Sequence, residues 1–277
     1  MGKLMLSLSQ FIKDEEKYSI VESAASDKYE RDVAAYLSSM MGIDAQRPVV
    51  PSTYADILVR RNLKNSRSSK MASTWLEVKM NHTDNLGNTR VSYVDGKWTA
   101  AKPLDPIKEF AIEYLTKSQE TQKFLKEIAA HAGIPDWKNM TVPSTIGLLS
   151  KDNAVNRSDM ASYFKTRTQY ILSVPDVDLG ALVTRHYLEA KAQPAHYLQA
   201  GDDFFMIGTE NPLNVPSDVP VLGAGGKCRG TFKMRIGVRT RFYEVQPEIK
   251  ILDMGTSPYS VKPGTNKKNP FDSKNLR

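Results

Sequence analysis

The stretch Thr74-Trp-Leu-Glu-Val-Lys-Met80 alternates apolar and charged side chains. A period of two reads as a strand with one face for the core and one face left to charge. Leu76, Val78 and Met80 point to one side, while Glu77 and Lys79 share the other. A second run of this kind, Tyr54-Ala-Asp-Ile-Leu-Val-Arg60, carries Asp56 directly before three apolar residues. That is a costly place for a carboxylate unless something there uses it. If the two runs pair as neighbouring strands, Asp56 and Glu77 converge, with Lys79 beside them.

An amphipathic helix precedes the two strands. From Ser23 to Met41, Tyr29, Val33, Tyr36, Leu37 and Met40 recur at helical spacing, and Gly42 supplies a stop. A third strand is expected over Arg90–Val94, closed by the turn dipeptide Asp95-Gly96. Asp105 followed by Pro106 reads as an N-cap with proline at the first helical position, and Ile107, Phe110, Ala111, Tyr114 and Leu115 form one stripe behind it. The pattern resumes through Phe124, Leu125, Ile128 and Ala129 and ends at Gly133. Residues 158–172 and 179–192 read as further helices, whereas Asp203–Ile207, Thr231–Val238 and Arg241–Leu252 read as strands. The fold class expected is α/β with a β-rich C-terminal part.

Composition bounds what such a chain can do. At 277 residues it fits one large domain, expected over 1–254, with a catalytic core at about 23–115 and an extension at about 140–252. Residues 255–277 are polar, basic and aperiodic, which predicts a loose C-terminal arm. Hydrophobic residues make up 40% and charged residues 25%, the balance of a folded protein rather than a disordered one. No apolar run approaches the roughly 18 to 20 residues of a membrane span, so no membrane partner is expected. The one cysteine, Cys228, can form neither an internal disulfide nor a thiolate cluster, in keeping with a reducing cytoplasm. The four histidines make no HxH or HExxH pair, so a zinc site is not expected and a metal would be held by oxygen or isolated histidine ligands. A net charge of +7 is compatible with a nucleic-acid partner.

Two carboxylates, a main-chain carbonyl and a lysine are a set that phosphodiester hydrolysis can use. Mg²⁺ takes oxygen ligands, neutralises charge at phosphorus and makes water acidic, and a nearby lysine can orient or deprotonate the attacking water. The order of elements, a helix with Glu30, a strand with Asp56, about twenty residues, a strand with Glu77-Val78-Lys79, then a third strand and a helix, resembles the catalytic core of the PD-(D/E)xK nuclease superfamily, which includes type II restriction endonucleases. The resemblance covers about residues 23–115, and Ala55 stands where the motif writes proline. It implies a restriction-endonuclease-like fold with a central mixed sheet flanked by helices, and Mg²⁺-dependent cleavage of double-stranded DNA, with Mn²⁺ as a possible substitute. It further implies Asp56, Glu77 and Val78 as the metal set, and Lys79 and Glu30 as catalytic partners, with Glu22 as a second candidate on the helix. Site-specific cutting by a homodimer in a bacterial, archaeal or phage-infected cell is the expectation. A branched-DNA or repair nuclease of the same fold and a noncatalytic DNA-binding protein are the alternatives.

Two basic groups are candidate DNA contacts. Arg60, Arg61, Lys64, Arg67 and Lys70 fall between the two acid-bearing strands, where a basic loop could hold phosphates beside the scissile bond. Lys233, Arg235, Arg239 and Arg241 share one parity against Phe232, Met234, Ile236 and Val238, which would make one continuous strand a basic ribbon. A second motif match, Pro175-Asp176 with Glu189-Ala190-Lys191, falls on a helical pattern. There Glu189 and Lys191 would sit roughly 200° apart, so this match is set aside.

Overall fold

The computed structural model describes residues 24–48, 55–65, 68–147, 152–190, 193–224, 227–239 and 241–272. In chain order the first elements are α1 (24–38), β1 (Ile43–Gln46), β2 (Ile57–Asn65), β3 (Ser68–Lys79), β4 (Asp84–Asn88), β5 (Val91–Val94) and β6 (Lys97–Ala100). Then come α2 (Pro106–Lys117), α3 (Gln119–His131), β7 (Thr141–Val142), β8 (Thr145–Ile146), α4 (Arg157–Tyr163), β9 (Tyr170–Asp178) and α5 (Gly180–Glu189). The chain closes with β10 (Ala195–Ala200), β11 (Asp203–Met206), β12 (Arg229–Val238) and β13 (Tyr243–Asp253). It is an α/β protein. The chain divides into two units, residues 1–81, 191–221 and 256–277 in one and residues 82–190 and 222–255 in the other. The expected core at 23–115 therefore straddles both units.

The first unit is built on a five-stranded mixed sheet in the order β1-β2-β3-β10-β11. β1, β2 and β3 form an antiparallel meander, and β10 lies parallel to β3. A parallel neighbour cannot be reached by a tight turn, and the whole of 82–190 lies between β3 and β10 in sequence. Ile57 pairs with Leu76 and Tyr197 with Leu76, so these side chains share one face of the sheet with Val59 and Val78. α1 buries Val33, Ala34 and Leu37 in the same apolar cluster.

The third expected strand is real but sits elsewhere. β5 pairs with β6 and β7 in a small sheet of the second unit, and β10, which the sequence pattern does not announce, is the strand beside β3. The turn joining β5 to β6 has Asp95 at φ 47° and Gly96 at φ 82°, the left-handed pair that a two-residue hairpin requires.

The C-terminal segment is not a loose arm. Tyr259, Val261 and Phe271 are buried in the first unit's core, and the Val261 N–H donates to Gln199 Oε1 at 2.9 Å. Lys262 pairs with Asp202 and Lys267 with Asp203, so basic residues that look solvated along the chain meet acids at the start of β11.

The second unit carries an antiparallel sheet, β4-β13-β12-β9, with β8 pairing the start of β13. Asp105 caps α2 by accepting the Lys108 N–H at 2.9 Å, with Pro106 at the first helical position as expected. Phe110 and Tyr114 from α2 stack on Phe232 of β12, with Tyr114 and Phe232 centroids 4.7 Å apart. The helix expected over 158–172 stops early. α4 ends at Tyr163 and Tyr170 already opens β9, because Tyr170, Leu172 and Val174 find cross-strand partners on β12. Among the described residues no helix is long and apolar enough to cross a membrane.

Candidate active site

Asp56 lies one residue ahead of β2, where the ladder between β2 and β3 runs out. The last paired residues are Ile57 and Leu76, so the Val78 N–H has no β2 carbonyl opposite it, and Asp56 Oδ2 accepts that N–H at 2.8 Å. The carboxylate thus continues the hydrogen-bonding of β3 past the end of its neighbour. Glu77 is 2% exposed, and Lys79, two residues on and on the same face, places Nζ 3.0 Å from Glu77 Oε1. Burial lifts the Asp56 carboxyl to about 7, and the negative charge of Glu77 adds to the lift. Lys79 and the Val78 N–H offset part of it, and Glu30 contributes a smaller push upward.

Glu30 reaches this neighbourhood from α1. Its Oε2 accepts from Arg47 Nη2 at 2.7 Å and its Oε1 from Ser26 Oγ at 3.4 Å. The same Arg47 nitrogen lies 2.7 Å from Asp27 Oδ1. α1 is tied to the sheet one residue before Glu30, where Tyr29 donates its hydroxyl to the Gly201 carbonyl at 2.5 Å and the Gly201 N–H donates to the Lys79 carbonyl at 2.8 Å. Asp56, Glu77, Lys79 and Glu30 are all in the first unit, and the electrostatics at Asp56 couple it to the other three. Arg47 joins them unannounced, since nothing in the sequence distinguishes it from other arginines. Glu22, Lys191 and Arg67 lie outside the described residues, as does the side chain of Lys64.

The basic loop expected between the acid-bearing strands is instead a hairpin, since β2 and β3 extend toward each other until only residues 66–67 separate them. Parity decides the fate of its arginines. Arg61 follows Ile57 and Val59 onto the core face, where it is 6% exposed, donates to the Leu213 carbonyl at 2.7 Å and lies over the Phe271 ring. It is a core arginine rather than a surface contact for DNA. Arg60, of the other parity, pairs with Asp44 directly opposite on β1 at 2.8 Å. Lys70 is exposed.

The second basic group is also rearranged. β12 ends at Val238 and a turn leads into β13, so Arg239 and Arg241 are not on one continuous strand with Lys233 and Arg235. The alternation holds through Ile236, with Phe232, Met234 and Ile236 buried. The opposite face is a cross-strand ladder of charges. Lys233 stands opposite Glu248, Arg235 Nε lies 3.2 Å from Glu248 Oε2, and Arg239 Nε lies 2.9 Å from the fully buried Glu244, which Arg90 also contacts. Gly237 is required here, because a Cβ would meet Gln246 Oε1 at 2.7 Å. In the set-aside motif, Asp176 pairs with Arg229, and Glu189 pairs with Arg185 on α5. The helix predicted there is present.

Among the described residues no three His, Cys, Asp or Glu side chains are gathered as a ready-made metal site. The two carboxylates of Asp56 and Glu77 are the donors nearest to one, and their mutual repulsion suits a hard cation. The largest groove, about 820 Å³ between α2 and β9, belongs to the second unit and carries none of these acids. No protein-family model matches the sequence, and no curated protein is similar to it.

Proposed function

We propose that the chain is a metal-dependent deoxyribonuclease that hydrolyses phosphodiester bonds in double-stranded DNA, with Asp56, Glu77 and the Val78 carbonyl as ligands for Mg²⁺ or Mn²⁺. One observation carries this reading. Asp56 and Glu77 come together in a partly dry place where the neutral form of Asp56 is favoured at pH values up to about 7. Accepting the Val78 N–H needs only one oxygen, which an asparagine would supply. A carboxylate set against Glu77 costs repulsion that a cation removes. The order of α1, an antiparallel meander with acids on adjacent strands and a parallel fourth strand supports a restriction-endonuclease-like reading of the sheet.

Mg²⁺ bound there supplies positive charge opposite the phosphoryl oxygens and makes water more acidic. The chain's own groups do the remainder. Lys79, held by Glu77 and 28% exposed, orients the attacking water with its ammonium protons. Glu30, kept in place by Arg47, assists from the helix side. Lys70 and Arg60, with Lys64 and Arg67, contribute positive charge for the flanking phosphates, Arg60 sharing its own with Asp44. The two scissile phosphates of a duplex are related by an approximate two-fold axis, so a homodimer presents one site to each strand.

Supercoiled plasmid incubated with Mg²⁺, with an EDTA control and sequencing of the ends, tests the reading. Discrete ends mark a site-specific enzyme. Preferential cutting of branched over linear duplex replaces that reading with a structure-specific nuclease. Binding without any cleavage, in Mg²⁺ or Mn²⁺ and on every substrate form, defeats the enzyme and leaves a noncatalytic DNA-binding protein.

A further inference from the structure

Arg47 continues the alternation of β1, in which Ile43 and Ala45 face the core beneath α1. An arginine at the next position of that parity therefore meets the helix rather than solvent. One of its nitrogens, Nη2, touches two carboxylates a helical turn apart, Asp27 and Glu30, each at 2.7 Å. With Ser26 Oγ at the other oxygen, both oxygens of Glu30 are engaged. Glu30 is nonetheless close enough for its charge to act on Asp56. No group of three acids forms among the described residues.

We infer that Arg47 is a positioning residue that holds Glu30 beside the Asp56–Glu77 pair and out of its ligand set. The inference rests on the metal-site reading above. Glu30 sits on the same side of the sheet as the guanidinium, with a side chain long enough to turn toward Asp56 once that clamp is gone. A third carboxylate would then add to the donors, and affinity for a hard cation rises with the number of charged ligands. It would also fill a position that water and phosphate need, so tighter binding comes with slower turnover. Arg47 thus selects a two-carboxylate site over a three-carboxylate one, which separates it from an arginine that merely fastens α1.

The test is Mn²⁺ binding to the full chain, read by the loss of the free-ion electron paramagnetic signal, in the wild type and in Arg47→Ala, Glu30→Gln and the double variant. Arg47→Ala is expected to bind Mn²⁺ about tenfold more tightly, a change of one decade in Kd. Glu30→Gln alone is expected to change affinity by less than about threefold, and adding it to Arg47→Ala to abolish the gain, a non-additivity that marks direct coupling. Arg47→Lys, which keeps a cation between the two acids, should return affinity toward the wild-type value. If Arg47→Ala fails to fold, Arg47→Gln, which keeps length and loses charge, carries the same expectation. A wild type that binds Mn²⁺ with an affinity indifferent to Arg47, or a gain that persists without Glu30, overturns this inference and leaves the metal-site reading standing. A wild type that binds no Mn²⁺ overturns both.

Discussion

Two strands of this protein show the same pattern along the chain and opposite chemistry across the sheet. β3 sets Glu77 and Lys79 against Leu76 and Val78, and β12 sets Lys233 and Arg235 against Phe232 and Met234. On β12 the charges meet their opposites across the sheet, with Glu248 opposite Lys233 and Glu244 between Arg90 and Arg239. On β3 the neighbouring acid is Asp56, a like charge, and the repulsion between it and Glu77 raises the Asp56 carboxyl. Period-two charge identifies a face. Only the partner strand decides whether that face is electrostatically closed, as on β12, or suited to a further cation, as beside β3.

The strongest way to break the contrast is to remove the mutually repelling acids. Asp56→Ala and Glu77→Ala are each expected to abolish Mg²⁺-dependent plasmid cleavage while circular dichroism and DNA affinity stay close to wild type. Cutting at the wild-type rate by either variant would reduce the β3 face to ordinary surface charge. Next in size is Lys79→Ala, expected to slow cleavage by about 10²- to 10⁴-fold, the usual range for removing an acid–base or water-orienting group. Lys191→Ala in the helical motif should change the rate little, and equal losses at both positions would erase the distinction between strand and helix.

The pH dependence of stability sharpens the same point. Asp56 has a folded-state pKa of about 7, above the ordinary carboxylate value. The folded state therefore holds its proton to higher pH than the unfolded chain, and stability is full below about pH 4 and lost as pH rises through about 7. Asp56→Asn, which keeps the acceptor for Val78 N–H, should raise Tm at pH 8 by an amount on the order of a few kcal/mol at most. The gain should vanish at pH 4, and Mg²⁺ should recover part of the wild type's loss at pH 8. Identical melting curves for the two proteins at pH 8 would remove the repulsion from the account.

On β12 the expected effects are smaller and of opposite sense. Arg239 and Arg90 hold Glu244 below the usual glutamate range against its burial. Glu244→Gln should therefore destabilise by about 1 to 3 kcal/mol in urea unfolding, within the range for a buried polar group deprived of its partners. The arginines, both largely exposed, re-solvate and limit the cost. Glu248→Gln should cost under about 1 kcal/mol. Smallest of all is the effect of Lys233→Ala with Arg235→Ala on DNA binding. A free basic ribbon would lower the slope of log affinity against log salt by about 0.9 for each phosphate no longer neutralised. A ladder already paired with Glu248 predicts a smaller change than that for both substitutions together. A drop approaching twice that size would return these residues to the DNA-facing role.

Much of the local structure was written in short-range chemistry. Asp105-Pro106 specifies how α2 begins, Asp95-Gly96 specifies a hairpin turn, and alternation marks β3, β12 and β13. Each depends on dihedral preferences or side-chain period within a few residues, so no partner need be known. Arg61 obeys the same logic, since it continues the core parity of Ile57 and Val59, although its charge points to the surface. The end of α4 was not legible in this way, because residues 170–172 fit a helix or a strand until β12 lies alongside.

The alternation and the lone acid ahead of β2 were enough to nominate Asp56, Glu77 and Lys79, and the helix pattern was enough to nominate Glu30. Pairing decided everything that depends on which segment lies next to which. It set β10 beside β3, across more than a hundred intervening residues, and sent β5 to another sheet. It returned residues 256–272 to the first unit's core and brought Arg47 to Glu30. Such pairings join residues with no common period or neighbourhood along the chain, so their energies belong to the tertiary structure and leave no mark in local sequence.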